Sequence, residues 1–170
     1  MISPVMRSRL LFGLSGAAAL GLQQIWTRMF ATGLGHEVPA LLAVITAFLG
    51  GMALGAWMLD RRIAASPEPH RWFQRLQVVI ALWTVAGTCL IPQVNQLAIA
   101  WIGPEASALR QGLVSFLVPF LTLLPATAAM GATLPAMEHW LAAIAGNERA
   151  LANVYAWNTA GAVVGTLATA

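Results

Sequence analysis

Charged residues fall at only fifteen positions, 7, 9, 28, 37, 60, 61, 62, 68, 71, 75, 105, 110, 138, 148 and 149. They leave five charge-free windows, 10–27, 38–59, 76–104, 111–137 and 150–170, none shorter than 18 residues. An α-helix rising about 1.5 Å per residue crosses a hydrocarbon core of about 30 Å in roughly 20 residues, so each window is long enough, or nearly so, to span a bilayer. Strands satisfy a bilayer only in a closed barrel with alternating polarity, and runs such as Ala40-Leu41-Leu42-Ala43-Val44-Ile45 do not alternate. The pattern predicts an all-α, polytopic transmembrane bundle forming a single domain, with about five spans near 10–33, 38–59, 76–102, 111–135 and 150–170.

Composition points the same way. Of 170 residues, 59% are hydrophobic and 9% charged, against about 25% charged in ordinary soluble domains. Too few charges remain to coat a soluble enzyme or a nucleic-acid-binding arm, so no nucleic-acid partner is expected and the lipid bilayer is the expected surrounding. The net charge of +3 comes from nine arginines, no lysine and six acids. If the spans alternate, Arg7, Arg9, Arg61, Arg62, Arg71, Arg75 and Arg149 share one side, and Arg28 and Arg110 the other. The positive-inside rule then puts the N-terminus in the cytoplasm. A basic start followed by Ala17-Ala18-Ala19 also resembles a cleavable secretory signal, although a first anchor helix accounts for the same residues.

Small residues recur every four positions in three windows: Ala43, Ala47, Gly51 and Gly55; Gly13, Ala17 and Gly21; Gly161, Gly165 and Thr169. Such stripes let helices approach closely, and they are expected to be packing faces. In the fourth window Pro119, Pro125 and Pro135 each remove a backbone donor. A kink or break near Pro125 and an end near Pro135 follow, with Thr122 and Thr127 available to the freed carbonyls and the 124–131 stretch as the candidate cavity wall. Pro92 divides the third window, placing Gln93, Asn95 and Gln96 at the outer interface. Gln23, Gln24 and Asn158 are the amides nearest the hydrocarbon and are expected to bond between helices or face a cavity. Arg28 is expected to snorkel to the outer interface. Trp26, Trp57, Trp72, Trp101, Trp140 and Trp157 fall near span ends, as belt anchors do.

Chemistry-bearing patterns are sparse. His36-Glu37 and Glu138-His139 are adjacent pairs, which on a helix point about 100° apart and make no two-His zinc face. Gly33-Leu34-Gly35 and Gly50-Gly51 lack the preceding strand of a nucleotide-binding turn, and Gly13-Leu14-Ser15-Gly16 lacks the spacing of a nucleophile elbow. The lone Cys89 excludes an internal disulfide. No metal, cofactor or catalytic residue is expected within the chain.

Several blocks form a recognisable series: 14–19 (LSGAAA), Trp26-Thr27-Arg28, 47–55 (AFLGGMALG), Asp60-Arg61, 130–135 (MGATLP) and 155–162 (YAWNTAGA). Together they resemble the membrane half of bacterial fused major-facilitator-like/spermidine-synthase-like proteins. The resemblance implies further spans and a soluble aminopropyltransferase-like domain beyond this sequence, in the inner membrane, with these helices anchoring or feeding that domain rather than catalysing. Gln23 stands where relatives often carry glutamate. The segment from Gly55 to Asp60-Arg61-Arg62 is similar to the cytoplasmic gate loop of major-facilitator transporters, and equally suits a topology anchor. The last residues carry no flanking charge, which suggests a sequence that continues. Two other readings stay open: a transporter-like half-bundle for a small solute such as a polyamine, and a structural partner that assembles through its glycine stripes, including as a homo-oligomer.

Overall fold

The computed structural model describes residues 3–34, 37–105, 107–145 and 148–170. His36 and Gly35 lie outside this set, as does the Glu37 side chain. The described chain is an all-helical bundle: α1 (Pro4–Leu34), α2 (Glu37–Ala64), α3 (Pro69–Ile102), α4 (Ala108–Ala145) and α5 (Glu148–Ala168). Among the described residues three segments, Ala40–Ala64, Pro69–Ile102 and Ala108–Ile144, are long and apolar enough to cross a membrane. The count of about five spans is thereby corrected to three by length and composition. The reason lies in the other two helices, where Gln23 and Gln24 in α1 and Asn153 and Asn158 in α5 dilute otherwise apolar runs.

Side-chain pairings establish the helix directions. Gly51 meets Thr127 and Asp60 meets His139, so α2 and α4 run parallel. Gly13 meets Gly161 and Gly21 meets Thr169, making α1 and α5 parallel as well. Trp83 reaches Thr122 while Phe73 lies beside Trp140, so α3 opposes α4. Phe12 against Phe73 and Met29 against Asn95 align α3 with α1. Thus α1, α3 and α5 point one way and α2 and α4 the other. All seven arginines expected on one side do sit at one end of the bundle, around the start of α1 and the junctions of α2 with α3 and α4 with α5.

The outer surface is apolar as well as the core. α2 buries Ala43 and Ala47 completely and turns Leu49 and Trp57 outward, 62% and 78% exposed. On α3, Leu82 and Val85 are each 68% exposed. Large apolar groups such as Trp26, Phe30 and Phe48 also fill the interior, so the bundle is apolar inside and out, which suits lipid outside, while the small residues allow close backbone contact. The close contacts are severe at the glycines. A Cβ on Gly55 would overlap the Ala128 carbonyl, one on Gly131 the Met52 carbonyl, and one on Gly51 the Thr127 hydroxyl. Between α1 and α5, Gly161 abuts the Gly13 carbonyl and Gly165 the Ala17 carbonyl in the same way.

Three expectations change. α4 runs unbroken through Pro119, Pro125 and Pro135 to Ala145, neither breaking at Pro125 nor ending at Pro135. α2 and α3 pack along it and hold it through the missing donors. Thr122 and Thr127 do not take the carbonyls four residues before the prolines: Thr122 Oγ1 donates to Val118 O at 2.7 Å, and Thr127 Oγ1 to Leu123 O and Leu124 O at 3.1 and 3.2 Å. α3 likewise continues through Pro92, and Asn95 is buried, donating through Nδ2 to Met29 O at 2.9 Å. Trp26, finally, is a core residue rather than a belt anchor. It is fully buried, because it packs against α2 with its ring 6.0 Å from that of Phe48.

Candidate functional site

The bundle is built from two tightly joined units, α1 with α5 and α2 with α4, and α3 leans on α4. The units touch each other more lightly, and a cavity of about 360 Å³ occupies the seam. Four helices line it: Phe12, Ser15 and Gly16 from α1, Met52 and Ala56 from α2, Met130 to Leu134 with Ala132 excepted from α4, and Tyr155, Asn158 and Thr159 among others from α5. Asn158 lies roughly 15 Å along α5 from its start, at about 1.5 Å per residue, so the cavity opens well inside the bundle.

The polar groups of this lining differ in how they are used. Thr133 Oγ1 donates to Met130 O at 2.6 Å and Thr159 Oγ1 to Tyr155 O at 3.1 Å, each within its own helix. Ser15 Oγ accepts from Gln77 Nε2 of α3 at 2.8 Å. The half-buried Asn158 amide, pressed against Gly16, has no hydrogen-bond partner among the described residues. Its polar atoms are not sealed in the core and stay accessible at the cavity, where a guest or water can pair with them. No charged side chain lines the cavity.

Other sequence-selected residues sit elsewhere. Thr127 is fully buried against Gly51, and Thr122 faces α3, so the cavity wall on α4 begins at Met130, at the end of the expected 124–131 stretch. Gln23 and Gln24 are half-buried, do not line the cavity, and their side chains bond no other described residue. Arg28 is exposed and donates through Nη2 to Ala170 O at 2.8 Å. Asp60, Arg61 and Arg62 are exposed at the end of α2, where Asp60 meets His139 Nε2 of α4 at 3.4 Å. Among the described residues no three His, Cys, Asp or Glu side chains gather as metal ligands would.

Trp83 is a residue that sequence reasoning passed over. Its indole Nε1 donates to Thr122 O at 2.8 Å, on the α4 turn that Pro125 disturbs. Sitting in the middle of an apolar window, it carries no local signal of that role.

Two further hollows flank α1. One, of about 580 Å³ between α1, α3 and α5, is walled by small apolar residues, and its polar members Gln77, Thr84 and Thr169 are all hydrogen-bonded. The other, of about 330 Å³, lies beside Asn95, whose Oδ1 is buried without a partner. The seam cavity differs in joining four helices and in drawing on four of the distinctive sequence blocks, 14–19, 47–55, 130–135 and 155–162. Comparison of the chain with protein-family models, curated proteins and solved structures yields no match.

Proposed function

We propose that the chain is the membrane-embedded helical part of a major-facilitator-like/spermidine-synthase-like fusion protein, and that its seam cavity holds a small solute. One observation supports this reading above the others. The 130–135 and 155–162 blocks, which carry the strongest resemblance to that family, come from separate helices and supply two walls of the same cavity, with the unpaired Asn158 amide between them. An accessible amide with no partner among the described residues, set in a largely apolar hollow, supports a solute at this place.

In this reading the protein sits in the bacterial inner membrane with its arginine-rich end in the cytoplasm. An aminopropyltransferase-like domain elsewhere in the protein performs the chemistry. These helices anchor it and supply or sense a solute, without a catalytic residue of their own. A purely structural role draws on a different observation, the backbone contacts at Gly51, Gly55, Gly161 and Gly165, which account for bundle stability with no ligand.

Deleting the gene and measuring cellular putrescine and spermidine tests the reading. A changed ratio, restored by the intact gene, is the expected result. Unaltered pools across growth conditions would remove the link to polyamine chemistry.

A further inference from the structure

The chemistry of the lining restricts what the seam cavity can accept. A polyamine carries several ammonium groups, and a buried ammonium needs carboxylates or an aqueous path to replace its lost hydration. The cavity offers neither Asp nor Glu. Of the acids with described side chains, Asp60 and Glu68 lie exposed or half-exposed at one end of the bundle, Glu105 is exposed at the other, and Glu138 is exposed on α4 beyond the lining. What the cavity does offer is a largely apolar wall of Phe12, Met52, Met130 and Leu134, and two side chains with both a donor and an acceptor unused among the described residues: the half-buried Asn158 amide and, at the exposed rim, the Tyr155 hydroxyl.

We propose that the seam cavity binds an uncharged amphiphile, a short aliphatic body with a single hydroxyl or carboxamide head that pairs with the Asn158 amide, and excludes polyamine cations. This rests on the reading of the cavity as a solute site and names the class of solute. A hydroxyl or carboxamide both donates and accepts, so one head group satisfies Nδ2 and Oδ1 together. The aliphatic body displaces no bound charge and fits within a space of about 360 Å³. Thr133 and Thr159 are already engaged within their helices and add little to the recognition.

The test is photolabelling of the purified chain in lipid nanodiscs with an octanol bearing a diazirine, with adducts located by mass spectrometry. Adducts are expected at cavity residues such as Tyr155 and Leu134, competed by excess 1-octanol and not by spermidine. The lipid-facing Leu82 and Val85 serve as the internal reference, since nonspecific labelling there resists competition. Asn158→Leu should lower cavity labelling at least fivefold and leave the reference unchanged. The nearly isosteric Asn158→Asp, which keeps the shape against Gly16 if leucine does not fold, should make spermidine an effective competitor. Competition by spermidine in the unaltered chain would overturn the uncharged-solute inference and leave the solute site standing. Cavity labelling no higher than the reference would overturn both.

Discussion

The indole N–H of Trp83 on α3 is 2.8 Å from the backbone carbonyl of Thr122 on α4, three residues before Pro125. Proline removes a donor from the helix and crowds the carbonyls of the turn before it. The carbonyl that loses its donor is that of Leu121, four residues before Pro125, and the indole bonds the next carbonyl of the same turn, tying α3 to it where water is not at hand. Trp83→Phe keeps the ring and deletes the donor. It should destabilise the detergent-solubilised chain by about 0.6–1.5 kcal/mol, measured by chemical or thermal unfolding. In a Pro125→Ala background the same change should cost less, and equal costs in the two backgrounds would show the bond to be unrelated to the proline.

Glycine substitutions should divide by position. Gly55→Ala and Gly131→Ala push a methyl group into a facing carbonyl, and each should cost about 1–3 kcal/mol through forced separation of α2 and α4. Gly87→Ala and Gly112→Ala place the methyl where nothing lies within 4 Å. Those two should be neutral or stabilising by about 0.5–1 kcal/mol, from lower backbone entropy in the unfolded chain. Unfolding measurements on the four variants in one detergent provide the comparison.

Asn95 and Gly33 form a testable pair at the opposite end. A methyl group on Gly33 would overlap the Asn95 side chain, which bonds Met29 O at 2.9 Å. Gly33→Ala should therefore cost about 1–2 kcal/mol. In an Asn95→Ala background the same substitution should cost under about 0.5 kcal/mol, because the obstructing side chain is gone. A double-mutant cycle reads the difference directly.

The two ends of the bundle carry unequal charge. Ser66 lies between α2 and α3 at the arginine-rich end, and Ser107 lies before α4 at the other. In a Cys89→Ser background, a membrane-impermeant maleimide applied to intact cells should label the Ser107→Cys variant and leave the Ser66→Cys variant unlabelled until the cells are opened. The reverse pattern would invert the orientation.

How much of this was legible beforehand depended on whether a signal was local. Gaps between charges located every helix, because each charge must leave the apolar layer wherever the helix turns. Their ends were misjudged where polar residues continue a helix past the apolar run, as Glu138 and His139 do in α4. Trp26 looked like an interface residue for a different reason: the end of α1 was placed correctly, but its burial depends on Phe48 of α2, a neighbour that the local sequence does not reveal. The four-residue spacing on α2 coincides with the face turned to α4, a relation that helical periodicity alone can express. Partners across helices had no such signature. Trp83 with Thr122, Asn95 with Met29 and Asp60 with His139 join residues that only the packed bundle brings together.

The glycine contacts imply a division of labour along the seam. Joints fastened backbone to backbone tolerate almost no change of side chain, whereas Leu134, Tyr155 and Thr159 border the same hollow without fastening anything, and all three are exposed. On the proposed reading of the hollow as a solute site, its shape is adjustable by exchanging these three, leaving the riveted frame intact. Descendants of one scaffold would then diverge in cargo long before they diverge in shape.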